Sequence, residues 1–214
     1  MPQNTVGPPA EQLGESLSND GSSTIAFEQP YTVSLAVQGV CPLLFHRWST
    51  EAVAAKAAAR KNSVAKKTDD VESYVYRTTD GQIAIPGAYL KGAIAGPQGA
   101  AKFRQDPRSP RKSALDLYKA GVIVLTDLAS LGTKNWDYLD QRRVTIQRSG
   151  ITRVRPAMLT GWTATFEVLV QTPEYIGPAE LHEVVIQAGK LVGLADFRPT
   201  YGRFAVVHFE VLQA

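Results

Sequence analysis

The last third of the chain restricts its architecture more than any other part. Ala164, Phe166, Val168 and Val170 alternate with Thr163, Thr165 and Glu167, the period of a strand with one buried face. Gly177-Pro178 follows, with proline at its favoured first helical position. Leu181, Val184, Val185, Ala188, Leu191 and Val192 then fall on one side of the helix it opens. A final strand is expected to turn Ala205, Val207, Phe209 and Val211 inward. A strand–helix–strand unit of this kind must bury the helix against a sheet, so further strands have to come from upstream.

They are legible there. Val33, Leu35 and Val37 alternate with Thr32, Ser34 and Ala36 until Gly39 and Pro42 end the run. Residues 51–61 are alanine-rich and read as a helix, followed by a basic linker to about Asp70. Residues 73–77 and 82–85 read as a hairpin around Thr79-Asp80-Gly81. A helix starts at Gly87 and should break at Gly96-Pro97. Residues 104–112 read as a loop with two prolines, 113–119 as a short helix and 122–125 as an apolar strand. Residues 126–161 read as irregular, with one strand at 143–147. The order predicts an α+β fold, a ferredoxin-like, RRM-like βαββαβ sheet with helices on one face. Residues 29–214 are expected to form one domain with insertions at about 40–82 and 104–161.

Charge is unevenly spread. Residues 1–28 carry Glu11, Glu15, Asp20 and Glu28, no base and few apolar groups, a composition that predicts a flexible N-terminal arm. The net charge of +3 therefore understates how basic the rest is. Its bases cluster at residues 56–67, including Lys66 and Lys67, at 102–112, and at 142–155, including Arg148 and Arg153. Three such clusters favour a polyanionic partner, because neutralised phosphates release counterions. One cysteine, Cys41, excludes an internal disulfide and a cysteine-based zinc site. No leader pattern and no apolar run of about 20 residues is present, so the expectation is a cytoplasmic protein without a membrane.

Two segments concentrate the functional signal. Ile85-Pro86-Gly87-Ala88-Tyr89-Leu90-Lys91-Gly92 runs from a strand into a helix. Amides near Gly87 at the helix start, with Lys91, have the makings of a phosphate site, and Gly92 either admits a close backbone or only lets the helix pack. Gly193 to Arg203 supplies Arg198 and Arg203 on a glycine-flanked loop, contacts that would carry no sequence information. Trp48, Tyr89, Trp136 and Tyr201 lie beside basic or glycine residues and are candidates for base stacking.

The Ile-Pro-Gly-x-x-Leu-Lys-Gly pattern at residues 85–92 resembles the motif that opens the first helix in the RAMP superfamily, whose members form the backbone of CRISPR effector complexes. The Gly193–Arg203 loop is similar to that family's glycine-rich loop, though thinner in glycine, and Gly161-Trp162 introduces a strand as in the family. The resemblance implies sequence-independent binding of single-stranded nucleic acid, a guide RNA first and single-stranded DNA as the alternative. It implies self-association along the strand with other subunits of an effector-like complex. The residues carried into that site are Gly87, Tyr89, Lys91, Gly92, Lys66, Lys67, Arg148, Arg153, Arg198, Tyr201 and Arg203. Some members are metal-independent endoribonucleases with a histidine after the first strand, where His46 stands; imidazole suits proton transfer, with Arg47 stabilising developing charge. Others cut target RNA with an aspartate in that loop, and residues 39–50 contain none. A structural assembly protein without nucleic acid is the third reading. No zinc-ligand spacing of histidines, P-loop or dinucleotide fingerprint occurs, so neither metal nor cofactor is expected.

Overall fold

The computed structural model describes residues 29–59, 70–146 and 149–212. The expected arm over 1–28, together with Lys66, Lys67 and Arg148, lies outside the described residues. The strands are β1 (Tyr31–Gly39), β2 (Leu43–Leu44), β3 (Tyr76–Arg77), β4 (Ile83–Pro86), β5 (Gln105–Asp106), β6 (Ser109–Ser113), β7 (Val122–Val124), β8 (Leu128–Ser130), β9 (Tyr138–Ile146), β10 (Ser149–Met158), β11 (Thr163–Val170) and β12 (Phe204–Leu212). The helices are α1 (Thr50–Ala58), α2 (Gly87–Ala95), α3 (Leu115–Gly121) and α4 (Pro178–Leu191), with 3-10 turns at Glu72–Tyr74 and Ala100–Phe103.

The central sheet has the order β12-β1-β11-β7, with every neighbour antiparallel. Numbering only its own strands, that order is 4-1-3-2, with α2 crossing from the first strand to the second and α4 from the third to the fourth. This is the ferredoxin-like, RRM-like α+β arrangement. Val33, Leu35, Val37, Ala164, Phe166, Val168 and Val170 are buried on one face, against Leu90 and Ile94 of α2 and Leu181, Val184, Val185 and Ala188 of α4. Alternation at period two in β1 and β11 therefore reports the core faithfully.

Four expectations need correction. In β12 the pairing slips between Ala36 and Val37: Val206 faces Val37, whereas His208 faces Ala36. Val207 is the extra residue of a bulge, and a one-residue slip reverses the side of every side chain beyond it. Phe204 and Val206 are thus turned inward before the bulge and Phe209 and Val211 after it; Ala205 is exposed and Val207 is 54% exposed. Leu191, at the end of α4, is 51% exposed. Residues 126–161 are not irregular: β9 and β10 pair from Tyr138↔Ala157 to Ile146↔Ser149 as a long hairpin, joined to β2 at Leu44↔Ala157. The 104–112 segment likewise forms the small β5–β6 hairpin rather than a loop.

Candidate nucleic-acid interface

The strand β4 passes straight into α2, and the two glycines of that segment do different work. A Cβ on Gly87 would lie 2.0 Å from the Thr126 carbonyl oxygen, and the Gly87 N–H donates to the Asp127 carbonyl at 2.9 Å. Gly87 is therefore the packing glycine that seats α2 on the chain after β7, and its amide is not free for a phosphate. A Cβ on Gly92 would meet no atom within 4 Å, so nothing in the fold requires glycine there. The packing reading of Gly92 therefore finds no support, and the position stands open. Lys91 also departs from expectation. Its ammonium donates to the carbonyls of Tyr118 at 3.0 Å, Lys119 at 2.9 Å and Val122, closing the C-terminal end of α3, where carbonyls lack helical partners. Burial, and then Lys119, hold its pKa below the usual lysine range.

The loop between α4 and β12 is built from its two glycines. Gly193 and Gly202 have φ of +79° and +72°, values that other residues adopt only with strain. A Cβ on Gly202 would stand 1.9 Å from the Leu194 carbonyl oxygen, whose residue bonds back through Leu194 N–H to Gly202 O at 2.8 Å. The loop is fastened to the segment after β1 by Gly202 N–H to Pro42 O (2.9 Å), Asp196 N–H to Leu44 O (3.0 Å) and Val40 N–H to Arg203 O (2.9 Å). Ala195 and Phe197 are also left-handed, at φ +60° and +59°, each costing about 1–3 kcal/mol that the surrounding bonds offset.

The β9–β10 hairpin lies behind that loop and behind His46. Asp140 faces Arg155 and Arg142 faces Arg153 across the ladder, all on one side. Arg142 pairs with Asp140 (2.7 Å), donates to the Tyr201 hydroxyl, and lies 4.6 Å over the Tyr201 ring. Arg155, 4% exposed, meets Asp196 (Nε to Oδ2, 2.6 Å) out of hydrogen-bond alignment and sits 5.6 Å from the Phe197 ring. These cation–π and ionic contacts hold the loop against the hairpin. Arg153 Nη1 contacts His46 Nε2. Arginine only donates, so Nε2 is the acceptor and the neutral ring carries its proton on Nδ1. Burial, and then the Arg153 charge, push the His46 pKa below its ordinary value, leaving a neutral imidazole near pH 7. The ring also lies 4.6 Å from Tyr74.

The helix α2 and the loop enclose a cleft of about 170 Å³, lined by His46 from the segment after β1, Ala88, Tyr89 and Gly92 from α2, and Ala195, Asp196 and Arg198 from the loop. Tyr89 packs edge-on to Tyr76 with ring centroids 6.0 Å apart, and burial raises its phenol pKa. Segments more than a hundred residues apart thus share one recess, at the end of the sheet where β1 leaves and β12 enters. Of the residues singled out from sequence, Tyr89, Gly92, Arg198 and His46 line it, and Arg153 backs His46. Tyr201 is engaged by Arg142. Arg203 is exposed, with Nε donating to the Pro199 carbonyl at 2.7 Å. Trp48 is 71% exposed, and Trp136 packs half-buried on the core. Sequence reasoning missed Asp196 and counted Arg142 and Arg155 only within the 142–155 basic cluster; the i, i+2 spacing of Asp140 with Arg142 and of Arg153 with Arg155 was the available signal of one charged strand face. Among the described residues no three His, Cys, Asp or Glu side chains group as metal ligands, and no helix is long and apolar enough to cross a membrane.

No protein-family model and no curated protein matches the chain. A solved structure similar to it is described as a cryo-EM structure of the Type III-B Cmr-beta bound to cognate target RNA: 11% identity, TM-score 0.45, covering 86% of this chain and 61% of that one. At that score the likeness decides neither fold nor function.

Proposed function

We propose that this chain binds single-stranded nucleic acid, RNA foremost, as a repeated subunit of a ribonucleoprotein assembly of the RAMP kind. The observation that carries the reading is the cleft itself: the Gly87–Gly92 helix and the Gly193–Arg203 loop, from distant parts of the sequence, line one recess. Arg198 lines it, Arg153 stands behind its His46, and Arg203 is exposed at the end of the same loop. Guanidinium groups of this kind hold phosphates without reading sequence. Tyr89 in the cleft and Trp48 nearby in sequence offer faces on which bases stack, and Gly92 leaves the floor of the cleft open for a ligand to approach α2. Gly87 and Lys91 act in this account by positioning α2, not by touching the ligand.

The test is fluorescence anisotropy with a mixed-sequence single-stranded RNA over a range of salt. Log K should fall linearly with log salt, by about 0.7 per phosphate neutralised. Arg198→Ala and Arg153→Ala should each lower that slope by about one such step. Salt-independent binding would refute phosphate neutralisation as its basis, and no binding at low salt would leave the assembly reading without nucleic acid.

One observation favours a second reading. His46 lies in the cleft as a neutral imidazole beside Arg153, and its Nε2 becomes available as a general base once Arg153 turns from it to a substrate phosphate. Cleavage of RNA in chelator, lost in His46→Ala, would support an endoribonuclease.

A further inference from the structure

The cleft contains one group that a phosphate would avoid. Asp196 lines it with a side chain that is 33% exposed, and its carboxylate is near enough to act on the protonation of both His46 and Tyr89. Its Oδ2 is turned to the buried Arg155. Like charges repel, most strongly where water is partly excluded. The remaining lining is an imidazole, a phenol ring, two alanines and a glycine, with Arg198 at the edge. The volume, about 170 Å³, is below the ~300 Å³ at which drug-sized sites begin, so one small planar group fits and a dinucleotide does not. Aromatic walls, a flat floor and one carboxylate acceptor are how proteins hold an unstacked base by its edge.

We propose that this cleft receives a single nucleobase bearing an exocyclic amino group, which donates to Asp196, and that it discriminates against uracil. The proposal rests on the nucleic-acid reading above and adds a selective position to contacts that are otherwise indifferent to sequence. Cytosine and uracil give the cleanest contrast. Their rings are equal in size, and where cytosine presents N4 hydrogens uracil presents the O4 acceptor, which would face the carboxylate unpaired.

The experiment measures affinity of the whole chain for oligocytidylate and oligouridylate of equal length at one salt concentration. The expected result is tighter binding of oligocytidylate by on the order of tenfold. An oligomer of N4,N4-dimethylcytidine, which lacks the amino hydrogens, should fall to the oligouridylate level, and this comparison needs no variant. Asp196→Asn, checked for an unchanged melting profile, should level the two oligomers. Equal affinity of the native chain for both homopolymers overturns the base pocket while leaving nucleic-acid binding in place. Binding of neither at low salt overturns the underlying reading and the pocket with it.

Discussion

Gly92→Ala separates what the fold needs from what a ligand needs. Gly92 lies inside α2, and an added methyl meets nothing within 4 Å. Glycine in a helix interior costs about 0.8–1.0 kcal/mol relative to alanine, so the substitution should stabilise the chain by up to that amount. For a chain of this length a gain of about 1 kcal/mol raises Tm by roughly 2–4 °C. The same methyl stands on the floor of the cleft. Forcing a methyl into an occupied contact costs about 1–3 kcal/mol, or roughly 5-fold to 150-fold in Kd. The variant should therefore melt higher and bind single-stranded RNA more weakly. Thermal melting and anisotropy titration on one preparation read both. A higher Tm with unchanged affinity would place the ligand elsewhere, and a lower Tm would mean that Gly92 does not face open space.

Other substitutions probe the remaining assignments. Lys91→Met should destabilise by about 1.5–3 kcal/mol, the worth of charge-assisted bonds to carbonyls, and leave the salt slope of RNA binding unchanged; a slope lower by one phosphate would return Lys91 to the ligand. Gly202→Ala forces a left-handed residue against the Leu194 carbonyl and should cost more than about 1 kcal/mol, read by denaturant unfolding; an unchanged midpoint would refute the loop geometry. His46 has a folded pKa below its ordinary 6.5, so below that pH the unfolded chain binds a proton that the folded chain refuses. Stability should fall as pH drops below about 6.5, with a slope of at most ~1.4 kcal/mol per pH unit from this group. His46→Gln should remove that component, and identical pH profiles for the two proteins would contradict the buried, Arg153-paired imidazole.

The parts of the fold that sequence made legible are those where one chemical pattern decides one structural fact. β1, β11 and α4 each bury a single apolar face, and period alone locates it. The β9–β10 hairpin hid because its inward side carries Asp140, Arg142, Arg153 and Arg155: Arg142 and Arg155 meet aromatic rings and a carboxylate on a loop some forty to sixty residues away, Arg153 meets His46, and Asp140 pairs with Arg142. Charged residues satisfied by distant groups leave no apolar alternation to read. The bulge at Val207 was equally silent, since the stretch alternates correctly on either side of it. Gly87 and Gly92 look alike in the sequence. What tells them apart is the backbone at Thr126, which folds against one and not the other. Lys91 was misjudged for the same reason: charge is visible in a sequence, but the carbonyls that absorb it are not.

The central claim is that the Gly87–Gly92 helix and the Gly193–Arg203 loop hold one nucleic-acid strand between them. Ultraviolet cross-linking of a mixed-sequence single-stranded RNA to the whole chain, with the attached peptides identified by mass spectrometry, tests it most directly. The account predicts adducts on the peptide containing Tyr89 and on the peptide containing Phe197 and Tyr201, both lost together at high salt. Adducts confined to other parts of the chain, with both of these peptides unmodified, would contradict it.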